Sequence, residues 1–256
     1  MHLLSWNVQG KLGRLPEQAA RVAELAPDVV CLQEVTRNSA PLWEHALTSI
    51  GLDQVFHLAP APGRRLSVLI ASRSPFEGAS VPGVPWPERA VSARFAKHGF
   101  ELVGMHSPVS QTRDYVKVPT HEAVFAHLSA PASHPRALCG DLNTPRKEHA
   151  DGTVWTFARD RYGRLRPERG ERWDVAEAAL IRGLEAFGYR DAFRALHGFE
   201  SKEPTWEWPR WGGGYRLDHL IVSEGIEVPD CRYLHDWRRE GLSDHSPLVA
   251  ELIAPA

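Results

Sequence analysis

Short apolar runs recur along the chain, and each is bounded by Gly, Pro, Asn or Asp. Runs of about 4 to 8 residues rich in Val, Leu and Ile are typical of buried strands, whereas longer stretches with a helical period are typical of amphipathic helices. The runs predict strands over residues 2–6, 29–33, 66–72, 90–95, 101–106, 136–140, 217–223 and 247–253. The longer stretches predict helices over residues 15–26, 39–51, 120–130 and 173–188.

The last predicted helix has the clearest pattern. Ala176, Leu180, Leu184 and Phe187 fall on one face, and Gly188 follows as a natural C-cap. Strand and helix candidates are mixed along the whole chain without a repeat or a low-complexity linker. We therefore predict an α/β fold in a single domain.

Composition limits the function classes. The domain covers residues 1–256, and its Pro-rich stretch 81–87 is predicted to be a surface loop because strands resume directly after it. Lys and Arg total 30 against 32 Asp and Glu, so no globally positive surface attracts a polyanion. Nucleic acid would have to bind through a local patch.

Cysteine usage and the N-terminus bear on the compartment. Cys31, Cys139 and Cys231 form no CxxC or zinc spacing, and two of them lie in apolar runs, so a disulfide framework is not expected. The first residues enter a strand at once, and no apolar stretch approaches membrane-spanning length. We expect a cytoplasmic protein without a membrane partner, and the sequence indicates no protein partner.

Polar residues stand where several apolar runs end. Each has an ordinary explanation as a turn, a cap or a solvated group; Asp141 and Asn143, for example, suit an Asx turn before Pro145. Side chains at the strand ends of a packed sheet can also converge on one crevice. The residues in such positions are Asn7, Glu34, His106, Asp141, Asn143, Asp244 and His245.

Their order along the chain is more specific than any single residue. The segments WNVQG, LQEV, MHSP, GDLN, RLDH and SDHSP resemble the endonuclease/exonuclease/phosphatase superfamily, which includes pancreatic deoxyribonuclease and exonuclease III-type repair enzymes. The resemblance extends from Trp6 to Leu252. It implies a four-layer α/β sandwich, with two mixed β-sheets packed face to face, helices outside, and the site at one end. It also implies a metal-dependent hydrolase of phosphoester bonds.

The resemblance implies roles for the acidic and amide residues. Glu34 would be the principal ligand of Mg²⁺, which Mn²⁺ could replace. Asn7 nearby would bind the metal or phosphate, and Asp244 would be a second metal ligand or a support for the first. Such oxygen ligands suit a hard cation. Asp141 would accept a proton from the attacking water or orient that water, and Asn143 would hold that carboxylate or a phosphate oxygen. Their two-residue spacing places both side chains on one side of an extended chain.

The same resemblance assigns the histidines. His245 would donate to a phosphate oxygen, and Asp218 would hold its other ring nitrogen and favour the charged ring. His106 is a further catalytic candidate. Exonuclease III-type and abasic-site enzymes have tyrosine at its place and the pancreatic type has histidine, which argues against an abasic-site enzyme. His219 alternates to the opposite face of its strand and is not a candidate.

Two regions are candidates for substrate binding. Residues 189–220 are similar to the late segment of exonuclease III-type nucleases, in which aromatic residues line the nucleotide pocket. Trp206 and Tyr215, grouped with Trp208 and Trp211, are predicted to stack on substrate, although core packing would explain them equally well. Residues 159–172 hold six arginines and three acids; Arg164 and Arg166 are predicted to grip phosphates, with a solvated loop as the alternative.

Three functional hypotheses follow. The first is a nuclease acting on DNA, which the arginines and the aromatic group favour. The second is a phosphatase or phosphodiesterase for a small phosphoester such as a nucleotide, a sugar phosphate or a lipid head group. The balanced charge and His106 favour it. The third is a non-catalytic binding module. The sequence argues against it, because an acidic residue or a histidine stands at every position that the chemistry needs.

Overall fold

A computed structural model describes residues 1–109, 116–208, 210 and 212–254 of the chain. Its strands are β1 (His2–Asn7), β2 (Val29–Thr36), β3 (Gln54–His57), β4 (Leu66–Ser72), β5 (Glu77–Ser80), β6 (Ala90–Phe95), β7 (Phe100–His106), β8 (Arg136–Asp141), β9 (Lys147–Glu148), β10 (Val154–Trp155), β11 (Tyr189–Asp191), β12 (Trp206–Glu207), β13 (Gly214–Tyr215), β14 (Asp218–Ser223), β15 (Glu227–Tyr233) and β16 (Leu248–Ile253). Its helices are α1 (Leu15–Leu25), α2 (Ala40–Thr48), α3 (Lys117–Ser129), α4 (Gly170–Ile181), α5 (Ala192–His197) and α6 (His235–Arg239).

Two six-stranded mixed sheets form the centre of the fold. Their strand orders are β15-β16-β1-β2-β4-β3 and β11-β14-β8-β7-β6-β5. In each sheet one central pair is parallel, β1 with β2 and β7 with β8. Alternate residues of these strands face opposite sides: Leu3 packs between the sheets, whereas Leu4 packs under the helices. Burial on both faces explains why the central strands are continuous apolar runs in the sequence.

Helices cover the outer face of each sheet. Val22 of α1 and Trp43 of α2 pack with Leu32 of the first sheet. Val124 of α3 and Leu180 of α4 pack with the outer face of the second sheet. The layers are therefore helices, sheet, sheet and helices, and the predicted four-layer sandwich is confirmed. No helix within the described parts of the chain is long and apolar enough to cross a bilayer.

All eight predicted strands are present, and the predicted helices correspond to α1, α2, α3 and α4. The prediction of one continuous helix over 173–188 is wrong. α4 ends at Ile181, and a separate 3-10 helix follows from Gly183 to Phe187, because Arg182 leaves helical geometry directly before a glycine. Phe187 is consequently 50% exposed. Gly188 does cap this segment in a left-handed conformation, with φ 76°.

The Pro-rich stretch 81–87 is a surface loop, as predicted, and two of its residues anchor it to the fold. Val81 and Val84 are buried against the outer face of the second sheet. The loop leads into a 3-10 helix at Pro87–Arg89, which turns the chain into β6. This short helix carries Arg89 to the end of the sandwich where the polar residues gather.

Candidate active site

The predicted catalytic residues meet at one end of the sandwich. His106 and Asp141 are opposite each other at the ends of the parallel strands β7 and β8, and Asp141 is opposite Asp218 at the start of β14. Asn7 ends β1 in the facing sheet, and Glu34 lies near the end of β2. The parallel pairing inside each sheet therefore brings residues from distant parts of the sequence to one place.

Asn7 links the carboxylates of the two sheets. Its Nδ2 donates to Oε1 of Glu34 at 3.2 Å and to Oδ2 of Asp141 at 3.0 Å. Its Oδ1 accepts from the backbone N–H of Gln9 at 2.9 Å. Glu34 lies in a β-bulge between Leu32 and Val35, with a left-handed φ of 61°. The bulge re-aims the Glu34 side chain towards the site, at a cost in backbone strain.

Asp141 and Asn143 form an Asx turn inside the site, so the turn and the functional interpretation are compatible. The backbone N–H of Asn143 donates to Oδ1 of Asp141 at 2.9 Å, and its side-chain Nδ2 lies 3.3 Å from Oδ2. The same Nδ2 donates to the carbonyl of Ser107 at 2.9 Å. Asn143 has a left-handed φ of 49°, which asparagine tolerates better than most residues.

A buried ion pair supports this turn from below. Nζ of Lys117 lies 2.6 Å from the carbonyl oxygen of Asn143 and 2.7 Å from Oε1 of Glu177. Glu177 also accepts from the hydroxyl of Thr144, at 2.9 Å, and from the backbone N–H of Phe157, at 2.7 Å. One carboxylate on α4 therefore fixes both the Asp141–Asn143 turn and a second loop. This pair was not predicted from the sequence, because neither residue adjoins a recognisable segment.

Asp218 and His245 form a buried donor pair. Nδ1 of His245 donates to Oδ2 of Asp218 at 2.8 Å, and Nε2 lies 3.8 Å from Oδ2 of Asp141. Burial alone would lower the pKa of His245, but the charges of Asp218 and Asp141 outweigh it and raise the pKa to about 10. Burial raises the pKa of Asp141 to about 7, with Asp218 adding to the rise and His245 opposing it.

His106 is held neutral beside these carboxylates. Nη1 of Arg89 donates to Nδ1 of His106 at 2.6 Å, which places the ring proton on Nε2. That Nε2 lies 3.7 Å from Oε1 of Glu34 and 3.8 Å from Oδ2 of Asp141. Burial, followed by the Arg89 charge, lowers the pKa of His106 well below its usual value. The contact between Arg89 and His106 was not predicted from the sequence, because Arg89 lies outside the segments that resemble the family.

Asp244 lies on the open side of the same group. Its Oδ2 accepts from Nε1 of Trp206 at 3.2 Å, while its Oδ1 is buried without a hydrogen-bond partner among the described residues. The charge of Asp244 contributes to a raised pKa of Glu34, after the larger effect of burial. A cation bound between these carboxylates would offset both effects.

Known proteins resemble this chain in sequence and in fold. The model of the Endonuclease/Exonuclease/phosphatase family matches residues 4–245. The chain belongs to this family. Exodeoxyribonuclease III of Haemophilus influenzae is 24% identical, over 98% of this chain and 99% of that protein. An AP endonuclease from Archaeoglobus fulgidus has a TM-score of 0.75 at 21% identity, covering 98% of both chains. A 3′-5′ exonuclease from Neisseria meningitidis has a TM-score of 0.72 at 22% identity, covering 98% of this chain and 99% of the other.

Membership of the endonuclease/exonuclease/phosphatase family makes the chain a phosphoester hydrolase, and the family is metal-dependent. The site is correspondingly rich in oxygen ligands, and the donor atoms of Asp141, Asp218 and His245 all lie within 4.8 Å of one another.

His219 belongs to the support and not to the site. It lies near Asp191, and its Nε2 lies 2.8 Å from the carbonyl of Thr144.

A cleft of about 500 Å³ opens over the predicted catalytic residues Asp141, Asn143 and His245. Of the predicted substrate-binding residues, Trp206, Tyr215 and Arg166 line it. Arg164 is elsewhere: it pairs with Asp160, and its side chain is 74% exposed. Trp208 lines the cleft, while Trp211 lies outside the described residues. The lining residues that the sequence analysis missed are Val109, Arg146, Phe157, Arg169 and Leu217.

Proposed function

We propose that the chain is a single catalytic domain that hydrolyses phosphodiester bonds in DNA with the help of Mg²⁺, which Mn²⁺ could replace. One observation carries the proposal: the cleft that exposes Asp141 and His245 is also lined by aromatic rings and arginines. Rings suit stacking on bases, and arginines suit phosphate oxygens. Similarity to an exodeoxyribonuclease, an AP endonuclease and a 3′-5′ exonuclease supports DNA as the substrate.

Glu34 and Asp244 are the residues that would hold the metal ion. Glu34 is half-buried, and Asp244 has a buried oxygen without a partner among the described residues, as expected where a cation completes the contacts. Carboxylates are the ligands that Mg²⁺ prefers. When bound, the ion would polarise a phosphoryl oxygen and offset charge on the leaving oxygen. Asn7 holds Glu34 through its amide N–H, and its own oxygen is used by Gln9.

Asp141 is the proposed general base. Its pKa of about 7 matches the requirement that a base be partly free of its proton yet still basic at neutral pH. Hydrogen bonds from Asn7 and Asn143 fix the carboxylate, so that it can take a proton from a water aligned with phosphorus. Asn143 can also donate to a phosphate oxygen when the substrate is bound.

His245 and His106 are proposed to stabilise the phosphate differently. The Asp218 carboxylate keeps His245 protonated, so its Nε2–H can donate to a non-bridging oxygen on which charge develops. His106 is neutral, and Arg89 directs its Nε2–H to the same space. The pair would therefore offer one charged and one neutral donor.

The small-phosphoester hypothesis is kept as a second candidate because of the size of the cleft. A volume of about 500 Å³ lies in the usual range for small-molecule sites. No extended basic track is needed for such a ligand, which agrees with 30 basic against 32 acidic residues.

A substrate panel separates the two candidates. The purified protein is incubated with labelled duplex, single-stranded and abasic DNA, and with nucleotides, sugar phosphates and lipid head groups. Each reaction is run with Mg²⁺ and with excess EDTA. The proposal requires EDTA-sensitive cleavage of DNA that is lost in Glu34→Gln. Turnover of small phosphoesters with every DNA left uncut would replace it by the second candidate.

A matched variant controls for the fold and for non-specific loss. Glu17→Gln removes an exposed carboxylate on α1 that pairs with Arg14 and lies outside the site. It should cleave DNA like the unmodified protein. Circular dichroism and thermal unfolding show whether Glu34→Gln is folded, so that lost activity is assigned to the site.

A further inference from the structure

Three arginines line the same cleft as the catalytic residues. Arg146 follows Asn143 by three residues, whereas Arg166 and Arg169 come from the segment between β10 and α4. Arg146 and Arg166 are half-buried, so their guanidinium groups are partly shielded from water. Three cations from two parts of the chain therefore line one confined space.

Three other arginines in or near this segment have carboxylate partners, whereas Arg161 contacts Tyr162 and does not line the cleft. Arg159 pairs with Asp174, Arg164 with Asp160, and Arg172 with Glu122. In contrast, no carboxylate of the described residues lies within 4.0 Å of the guanidinium of Arg146, Arg166 or Arg169. All three arginines that face the cleft are thus without a carboxylate partner among the described residues.

Arg169 is fixed in this group by other contacts. It donates to the carbonyl of Phe157 and lies over the ring of Trp173, 5.1 Å from its centroid. Burial lowers the pKa of Arg169, the charges of Arg166 and Arg146 add to this decrease, and the charges of Glu177 and Glu168 oppose it. Like charges brought together in a half-buried cleft repel each other, and a bound anion would offset this repulsion.

We propose that Arg146, Arg166 and Arg169 form a second phosphate site, which binds the phosphate next to the one being cleaved in a DNA strand. The inference rests on the proposed nuclease function and specifies how that substrate lies. The rings of Phe157 and Tyr215 line the same cleft and pack edge to face, 5.1 Å apart. The nucleoside between the two phosphates would contact these rings.

The second site has a consequence for specificity. A phosphomonoester has no neighbouring phosphate and leaves the arginines without a partner, whereas a DNA strand supplies one. The cleft therefore selects a substrate with two adjacent phosphates. Guanidinium groups suit this task, because each can form two parallel hydrogen bonds to phosphate oxygens.

The test removes one substrate charge at a time. In a labelled oligonucleotide with a mapped cleavage position, the phosphate on each side of the cleaved linkage is replaced by an uncharged methylphosphonate. For the unmodified protein, one of the two replacements should lower kcat/KM by about tenfold or more. In Arg166→Gln and in Arg146→Gln, the same replacement should lower kcat/KM by a smaller factor than in the unmodified protein, because each variant has already lost one of the three guanidinium partners of that phosphate.

Arg172→Gln is the matched control, since Arg172 is exposed and paired with Glu122. It should keep the discrimination of the unmodified protein. The second phosphate site is overturned if the unmodified protein cleaves all these oligonucleotides equally, or if both arginine variants discriminate as it does. Neither result affects the proposed nuclease function. Absence of cleavage in any DNA would instead reject that function, and the second site with it.

Discussion

Nδ1 of His245 lies 2.8 Å from Oδ2 of Asp218, and both side chains are buried at the floor of the cleft. The contact leaves Nε2 of His245 facing Asp141 at 3.8 Å. A histidine held in this way keeps its proton through neutral pH and presents it to the substrate. The pair therefore accounts for a charged donor in a place where burial alone would favour a neutral ring.

Asp218→Asn should remove most of the increase in the pKa of His245. The pKa of His245, raised to about 10 in the unmodified protein, should fall by several units, so the ring loses its proton as pH rises through neutrality. We expect kcat to fall by about 10² to 10⁴ at pH 8. NMR titration of the His245 ring, together with DNA cleavage, measures both effects. Asp236→Asn, at an exposed surface pair, is the control. An unchanged titration would contradict the assignment.

Lys117→Met should reduce both stability and activity. The change leaves the carboxylate of Glu177 buried without its cation, which costs about 3 to 5 kcal/mol in the free energy of unfolding. It also removes the contact to the carbonyl of Asn143, so kcat should fall in the fraction that remains folded. Urea unfolding and kinetics below the unfolding temperature check the two effects. Lys97→Met, at an exposed lysine, should change neither; an equally stable Lys117→Met would show that the pair is unimportant.

Glu148 should contribute to acid sensitivity. Burial opposes its ionisation, but Arg216 and Arg194 outweigh burial and lower its pKa from 4.5 to about 2. Its contribution is therefore complete above pH 4.5 and is lost as pH falls towards 2. Glu148→Gln should lower the free energy of unfolding by about 3 kcal/mol at pH 7.

The difference in the free energy of unfolding between the unmodified protein and Glu148→Gln should narrow to roughly half at pH 3. At that pH the Glu148 carboxyl is protonated in the unfolded chain but is still mostly ionised in the folded protein. Urea unfolding at both pH values provides the comparison. Glu200→Gln, a surface glutamate, should behave like the unmodified protein. A loss of unfolding free energy in Glu148→Gln that is the same at pH 7 and at pH 3 would exclude Glu148 as the titrating group.

Trp206→Phe should weaken metal binding while keeping an aromatic ring in the cleft. The substitution removes the Nε1 donor to Oδ2 of Asp244, and loss of such a support typically costs 10- to 100-fold in metal affinity. The dependence of DNA cleavage on Mg²⁺ concentration measures the change. Trp208→Phe is the control, because it replaces the indole of the neighbouring ring and leaves the contact between Trp206 and Asp244 in place. Equal metal dependence in the two variants would contradict a specific role for Trp206.

The central strands could be predicted because their burial leaves a local signal. β1, β2, β7 and β8 are apolar along most of their length. Of the strands that were not predicted, β3, β5, β11 and β15 are the four edges of the two six-stranded sheets, and β9, β10, β12 and β13 form two-residue pairs outside them. All residues of β5 are exposed, so its sequence EGAS carries no alternation. An edge strand depends on hydrogen bonds to a neighbour that is distant in the sequence, and single-sequence periodicity does not contain that information.

The catalytic group could be expected because its residues stand next to strand ends in a recognisable order. The surrounding residues could not. Arg89 reaches His106 only because β6 pairs with β7, with Ala90 opposite Met105. Arg164 and Arg166 lie in the same arginine-rich segment and could not be told apart from the sequence. In the structure Arg164 forms an ion pair with Asp160, and only Arg166 lines the cleft. Such differences depend on which carboxylate lies within reach after folding.

The most direct test of one shared reaction centre is a double-mutant cycle on DNA cleavage with Asp141→Asn and His245→Gln. Their side chains lie 3.8 Å apart but come from β8 and from the segment before β16. Each single change should lower kcat/KM by at least about 100-fold, and the double variant should be scarcely worse than the poorer single variant, because a disabled unit has little left to lose. Losses that multiply, as for two independent sites, or single variants that retain full activity would contradict the account.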